Sequence, residues 1–146
     1  MNDPTCSACR ISSGAEIPPG GVVHREGGLL LHALQGPSPL LGWLVLTSER
    51  HVRAWPDLDP AALAALGPLS ARVMRAQREV LGAEHVYAFA IGDVVRHFHL
   101  HLVPRYAGTP ARLRGRAAFD ASPAEALAAE EVAEAAVRVA SAIASR

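Results

Sequence analysis

Residues 97–101 read His97-Phe98-His99-Leu100-His101, so three of the chain's seven histidines alternate with large apolar residues. Successive side chains of a strand point to opposite faces, which puts the three imidazoles on one face and leaves Phe98, Leu100 and Leu102 free to bury on the other. Imidazole serves as nucleophile, general acid, general base or metal ligand near neutral pH. One metal shared by all three is excluded by reach. Residues two apart in a strand are separated by about 6.8 Å and residues four apart by roughly 13 Å, whereas zinc holds ring nitrogens at about 2.0–2.1 Å. The row suits phosphoryl chemistry instead. A central imidazole can attack phosphorus and form a covalent phosphoramidate, while flanking donors stabilise charge on the equatorial oxygens.

A second group with chemical potential is Cys6-Ser7-Ala8-Cys9. Cys-x-x-Cys is a common half of a tetrahedral zinc site. Two free thiols near a chain end are an alternative, and a redox pair is another, although no βα context follows the motif.

These groups need a scaffold, and the pattern around them supplies one. Residues 10–21, rich in Gly, Pro and Ser, read as a loop. Val22–Glu26 and Leu29–Leu34 flank Gly27-Gly28, a two-residue hairpin turn. Gly36-Pro37-Ser38-Pro39 interrupts the chain before the strand Trp43–Thr47. Asp59-Pro60 starts a helix with an N-cap acid and a proline at its first position. Leu63, Leu66, Leu69 or Ser70, Val73, Gln77 and Val80 follow helical spacing, Pro68 is a point of kinking, and Gly82 ends the helix. His85–Ile91 reads as a strand, turned at Gly92-Asp93 into the histidine strand. Ser122-Pro123-Ala124-Glu125 has the capping-box pattern and opens a helix over about 123–144, with Leu127, Val132, Ala136, Val139 and Ile143 on its apolar face. Antiparallel strands with two helices make an α+β domain. A single domain over 1–146 is expected, with its core at about 6–106.

Half the residues are hydrophobic and 19% are charged, so a folded chain is expected. The formal net charge of zero argues against a general nucleic-acid binder. All 14 positive side chains are arginine. Such a bias lowers the weight of any isolated arginine, and Arg112, Arg114 and Arg116 read as a solvated loop. Residues 1–6 lack the apolar core of a signal peptide, and no apolar run reaches membrane-spanning length. A cytoplasmic location with reduced cysteines is the expectation.

His97-Phe-His99-Leu-His101-Leu-Val-Pro-Arg105 closely resembles the signature of the histidine-triad (HIT) superfamily of nucleotide hydrolases and transferases. Gly42-Trp-Leu-Val-Leu-Thr-Ser-Glu-Arg-His51-Val resembles the strand and turn before that family's long helix. Cys6-Ser-Ala-Cys9 followed by Ile17-Pro18 resembles the N-terminus of its zinc-binding members. The similarity spans roughly residues 6–106. It implies an antiparallel five-stranded sheet with helices, usually in a homodimer. His99 matches the nucleophile that attacks the α-phosphate and carries a nucleotidyl-histidine. His101 matches a phosphate contact, and Gln35 falls near the ribose-contacting acid of many relatives. Asp93 and Arg105 are further candidates for phosphate or nucleotide contact. Zinc-binding relatives complete Cys-x-x-Cys with two histidines that match His51 and His97, so a structural zinc on Cys6, Cys9, His51 and His97 is implied. The chain departs from the family at Gly42-Trp43, where many relatives have Gly-His, and at Ala90–Val95, where an amide and a hydroxyl are replaced. A nucleotide-binding or regulatory module with little catalysis is the alternative those departures motivate.

Overall fold

The computed structural model describes residues 3–144. Met1, Asn2, Ser145 and Arg146, assigned by the sequence to the same domain, lie outside the described residues. Helix α1 covers Ser7–Ser13 and α2 covers Pro60–Leu81, while α3 covers Ala129–Ala144. Strands β1 (Val22–Glu26), β2 (Leu29–Ala33), β3 (Leu44–Ser48), β4 (His85–Phe89) and β5 (His99–Arg105) form one sheet of five in the order β1-β2-β3-β5-β4. All neighbouring strands are antiparallel, giving the α+β, HIT-like architecture expected.

Local chemistry explains most of these elements. Gly27 and Gly28 both have positive φ, as a two-residue hairpin turn of this twist requires. A Cβ on Gly27 would stand 2.5 Å from Cβ of Ala65, so the turn also needs glycine to approach α2. Helix α2 starts as read: the Asp59 carboxylate accepts from the Ala62 N–H at 3.2 Å, and Pro60 follows. It ends at Gly82, whose φ of 81° is the left-handed conformation of a glycine cap. Pro68 does not break it. Gly67 before it has no Cβ to clash with the ring, and the carbonyl deprived of a partner, on Ala64, lies on the exposed side.

Three expectations are corrected. The loop over 10–21 begins inside α1, whose N-cap is the Cys6 sulfur and whose C-cap is Gly14 in the left-handed conformation. The Ser122 capping box forms, but it closes only a single 3-10 turn at Pro123–Glu125. Leu127 then gives its N–H to the Ser38 carbonyl, and α3 begins at Ala129 rather than 123. Leu63 is exposed, and Ala62 and Ala76 take the buried positions of α2 instead.

The sheet is covered on both sides. Leu31, Leu46, Leu100 and Leu102 face Leu66, Leu69 and Val73 of α2 and Val139 and Ile143 of α3. Trp43, Val45 and Val103 lie in a second cluster with Leu40, Leu113 and Ala118, packed by Phe89 and Phe119. Burial on two faces is why β2 and β3 read as nearly continuous apolar runs. Gln77 of α2 is fully buried and donates to the Gly42 carbonyl at 2.7 Å and the Leu102 carbonyl at 3.1 Å, tying the start of β3 to β5.

Candidate functional site

Register sets the site face. Val45 pairs with both His32 and His101, and Thr47 pairs with His99, so these side chains share the face opposite the α2–α3 core. They line a half-open cavity of about 140 Å³ with Val95 and Gln35, and α1 forms one wall through Ser7, Ala8 and Ile11. His99 also borders a hollow of about 220 Å³ with Trp55, Ile91 and Arg53. An apolar pocket of about 320 Å³ adjoins the cavity through Leu34 and is walled by Trp43 and Phe119.

The hydrogen bonds assign each ring's proton. Nδ1–H of His99 donates to the backbone carbonyl of His97 at 2.7 Å, which leaves the Nε2 lone pair unprotonated. Trp43 Nε1–H donates to Nδ1 of His101 at 3.0 Å, so His101 carries its proton on Nε2. The two rings stand 4.9 Å apart, edge to face. One offers a lone pair and the other an N–H. Nδ1–H of His32 donates to the Ala33 carbonyl, and its Nε2 accepts from the Thr47 hydroxyl, each at 2.8 Å. Burial pushes His101 down to about 4, with repulsion from His99 and His32 adding to it. Burial likewise pushes His32 down, against the hydrogen bond to Ala33.

His97 departs from the expected row. Strand β5 begins at His99, and the segment before it is pinned by the Phe98 N–H donating to the Val52 carbonyl at 2.7 Å. The His97 ring is fully buried, with Nδ1 at 3.6 Å from Cys6 Sγ and 3.5 Å from Cys9 Sγ. Cys9 Sγ is 3.1 Å from Nδ1 of His51, and all four donor atoms lie within 4.8 Å of one another. Tetrahedral zinc bonds imply sulfur–nitrogen separations of about 3.6 Å, so the donor set fits. The outer shell fits as well: Nε2–H of His97 donates to the Ser48 carbonyl at 2.6 Å, which fixes Nδ1 as the free lone pair. Burial raises the Cys9 thiol above its usual range, and a cation among these donors is what would favour the thiolate.

The other candidates separate clearly. Gln35 lines the cavity, and its Nε2 donates to Glu16 Oε1 at 2.8 Å; that carboxylate also accepts from Arg10 Nε at 3.0 Å. Asp93 is exposed and does not line the cavity, while Val95 does. Arg105 closes the far end of β5, roughly 20 Å from His99 by strand rise. It donates to the Tyr87 hydroxyl at 2.9 Å and lies 3.9 Å from the Glu84 carboxylate. Arg105 is thus too far along β5 to reach His99 or His101. Sequence reasoning missed Glu16, which no local pattern marks. Nor did it single out His32, which is 3% exposed and lines the cavity. The alternation of the Leu29–Leu34 strand was the signal available; the pairing with Val45 that sets its site face comes from the sheet register.

The HIT domain family model matches residues 19–108, more than half of the chain. The chain belongs to the HIT family. No curated protein matches the sequence. Among solved structures, a zinc-bound histidine triad family protein from Mycobacterium smegmatis is similar, at 23% identity and a TM-score of 0.72 over 97% of this chain and 96% of that one. A hypothetical histidine triad nucleotide-binding protein from Sulfolobus tokodaii aligns at 18% identity and a TM-score of 0.73 over 96% and 93% of the two chains. A Hit-like protein involved in cell-cycle regulation from Bartonella henselae aligns at 16% identity and a TM-score of 0.70 over 96% and 97%. At these identities the likeness speaks for the HIT fold. The match to the family model begins after α1, so the Cys6–Cys9 segment of this HIT protein lies outside it.

Proposed function

We propose that this HIT protein is a nucleotide hydrolase or nucleotidyl transferase that works at the α-phosphate through a covalent nucleotidyl-His99 intermediate. The observation that carries the reading is the His99–His97 hydrogen bond of 2.7 Å, which leaves the His99 Nε2 lone pair beside the Nε2–H of His101. A lone pair next to a donor is what in-line displacement at phosphorus uses: one attacks, the other stabilises charge on oxygen. Gln35 lines the cavity with its amide nitrogen held by Glu16, which leaves its amide oxygen as an acceptor for a sugar hydroxyl. Asp93 and Arg105 have no part in this reading.

Zinc on Cys6, Cys9, His51 and His97 completes it in a structural role. The zinc-bound relative from Mycobacterium smegmatis supports the same choice of metal. Bound there, the ion would neutralise two thiolates and tie α1 to the start of β5. A homodimer in the cytoplasm remains part of the proposal, to be tested by sedimentation and fractionation.

Intact-protein mass spectrometry after incubation with dinucleoside polyphosphates and nucleoside phosphoramidates tests the reaction. A nucleotidyl mass increase or released monophosphate, lost in His99→Ala, is expected. Nucleotide binding with neither adduct nor product would leave a binding module instead.

A further inference from the structure

We infer that Trp43 holds His101 as a neutral hydrogen-bond donor, and thereby restricts the site to nucleotide derivatives whose leaving group departs as a stable anion. The inference rests on the proposed reaction at His99 and narrows its substrates to anhydrides with phosphates or carboxylates and esters of acidic phenols. Amine leaving groups are disfavoured.

An indole N–H only donates, so the 3.0 Å contact requires a lone pair on Nδ1 of His101. A doubly protonated ring would turn Nδ1–H against Nε1–H and forfeit the bond. The arrangement is rigid. Trp43 is buried, and the carbonyl of Gly42 before it is held by Gln77. Phe119 packs edge-on against both rings, with centroids 5.0 Å from Trp43 and 4.9 Å from His101. Enclosure by these apolar rings acts in the same direction as the hydrogen bond, since burial alone lowers the proton affinity of His101.

The consequence falls on the bond that breaks. The Nε2 lone pair of His99 forms the nitrogen–phosphorus bond, and the electron pair of the bond to the leaving group goes with its oxygen. Neutral His101 can hydrogen-bond that oxygen through Nε2–H but has no surplus proton to give. A carboxylate, with a conjugate-acid pKa of about 4, or a phosphate, about 6, leaves unaided at pH 7. An alkylamine cannot leave as an amide anion and must take a proton first. Water then attacks phosphorus, the nitrogen–phosphorus bond breaks, its electron pair returns to His99, and the proton of the water passes to solvent. His99 keeps its Nδ1 proton on the His97 carbonyl throughout.

The test compares kcat/KM for the p-nitrophenyl ester and the n-butylamidate of adenosine 5′-monophosphate, in the wild-type protein, Trp43→His and Trp43→Phe. Nitrogen-15 NMR of the histidine rings accompanies it. The wild type should favour the ester by at least ~100-fold, the lower range of what a general acid contributes. Trp43→His should narrow that ratio at least about tenfold by gaining on the amidate, with KM little changed. The wild-type spectrum should show His101 unprotonated at Nδ1. Similar turnover of both substrates, or a protonated Nδ1, would overturn the inference while leaving the His99 reaction intact. No adduct and no turnover with either substrate would overturn both. If the Trp43 variants fail to fold, the wild-type ratio and spectrum still decide.

Discussion

His97 receives the Nδ1 proton of His99 on its backbone carbonyl at 2.7 Å, while its own ring nitrogen stands 3.5 Å from the Cys9 sulfur. One residue therefore serves two sites through different atoms. Because the acceptor for His99 is main chain, His97→Ala should release metal yet keep the His99 tautomer wherever the segment stays folded. His99→Ala should do the reverse. We expect it to lose more than ~10³-fold in turnover, as removal of a covalent nucleophile does, with metal content and melting temperature unchanged. An active His99→Ala protein would remove the nucleophile assignment.

Metal removal should loosen the N-terminal segment first. Seven residues are too few for a helix to persist alone, so α1 depends on what holds Cys6 and Cys9. Cys9→Ser, or chelation of untagged protein, is expected to lower the melting temperature by several degrees and to increase hydrogen exchange over residues 6–14. No stoichiometric zinc after reconstitution, or a melt indifferent to chelation, would argue against a structural ion.

Stability should fall with acid before the carboxylates titrate. His101 sits at about 4 in the folded protein against an ordinary 6.5, so the unfolded chain binds its proton first as pH drops. Stability is complete above about pH 6.5, declines through the window down to about 4, and loses no more from this residue below that. The shift corresponds to about 3 kcal/mol, and buried His32 adds loss of the same sign. Urea titrations at pH 7 and pH 4.5, compared with His101→Gln, would show the difference; equal pH dependence in the two proteins would contradict it.

The floor of the cavity offers a double-mutant test. Thr47→Val leaves His32 Nε2 buried without its donor and should cost about 1–3 kcal/mol. His32→Leu together with Thr47→Val replaces both partners by apolar groups and should cost less than the sum of the single changes. Strict additivity in urea unfolding would mean the 2.8 Å contact carries little energy.

Elements with local signals were readable from the residues. The Gly27-Gly28 hairpin and the Asp59-to-Gly82 helix each carry their own turn or cap. Helix α1 was not readable, because seven residues show no helical period and its N-cap is a cysteine whose partners lie about ninety residues away. At Ser122 the local signal was real, but only one turn answers it. The four-residue cluster followed from a family resemblance, since no spacing on the chain brings Cys6 to His97. The contacts that decide protonation, Trp43 on His101 and Thr47 on His32, depend on register between strands far apart in sequence. Arg105 looked close to the triad only because it follows it in sequence.

One wall of the cavity is a short helix outside the stretch by which the family is recognised. A protein trimmed to residues 19–108 would keep His99, His101 and the sheet but lose Ser7, Ala8 and Ile11, both cysteines and Glu16. Its histidines would be more widely open to bulk water. Inhibitors or fragments screened against such a trimmed protein would therefore be selected on a shallower groove, and their contacts would not transfer to the pocket that α1 walls in the longer chain.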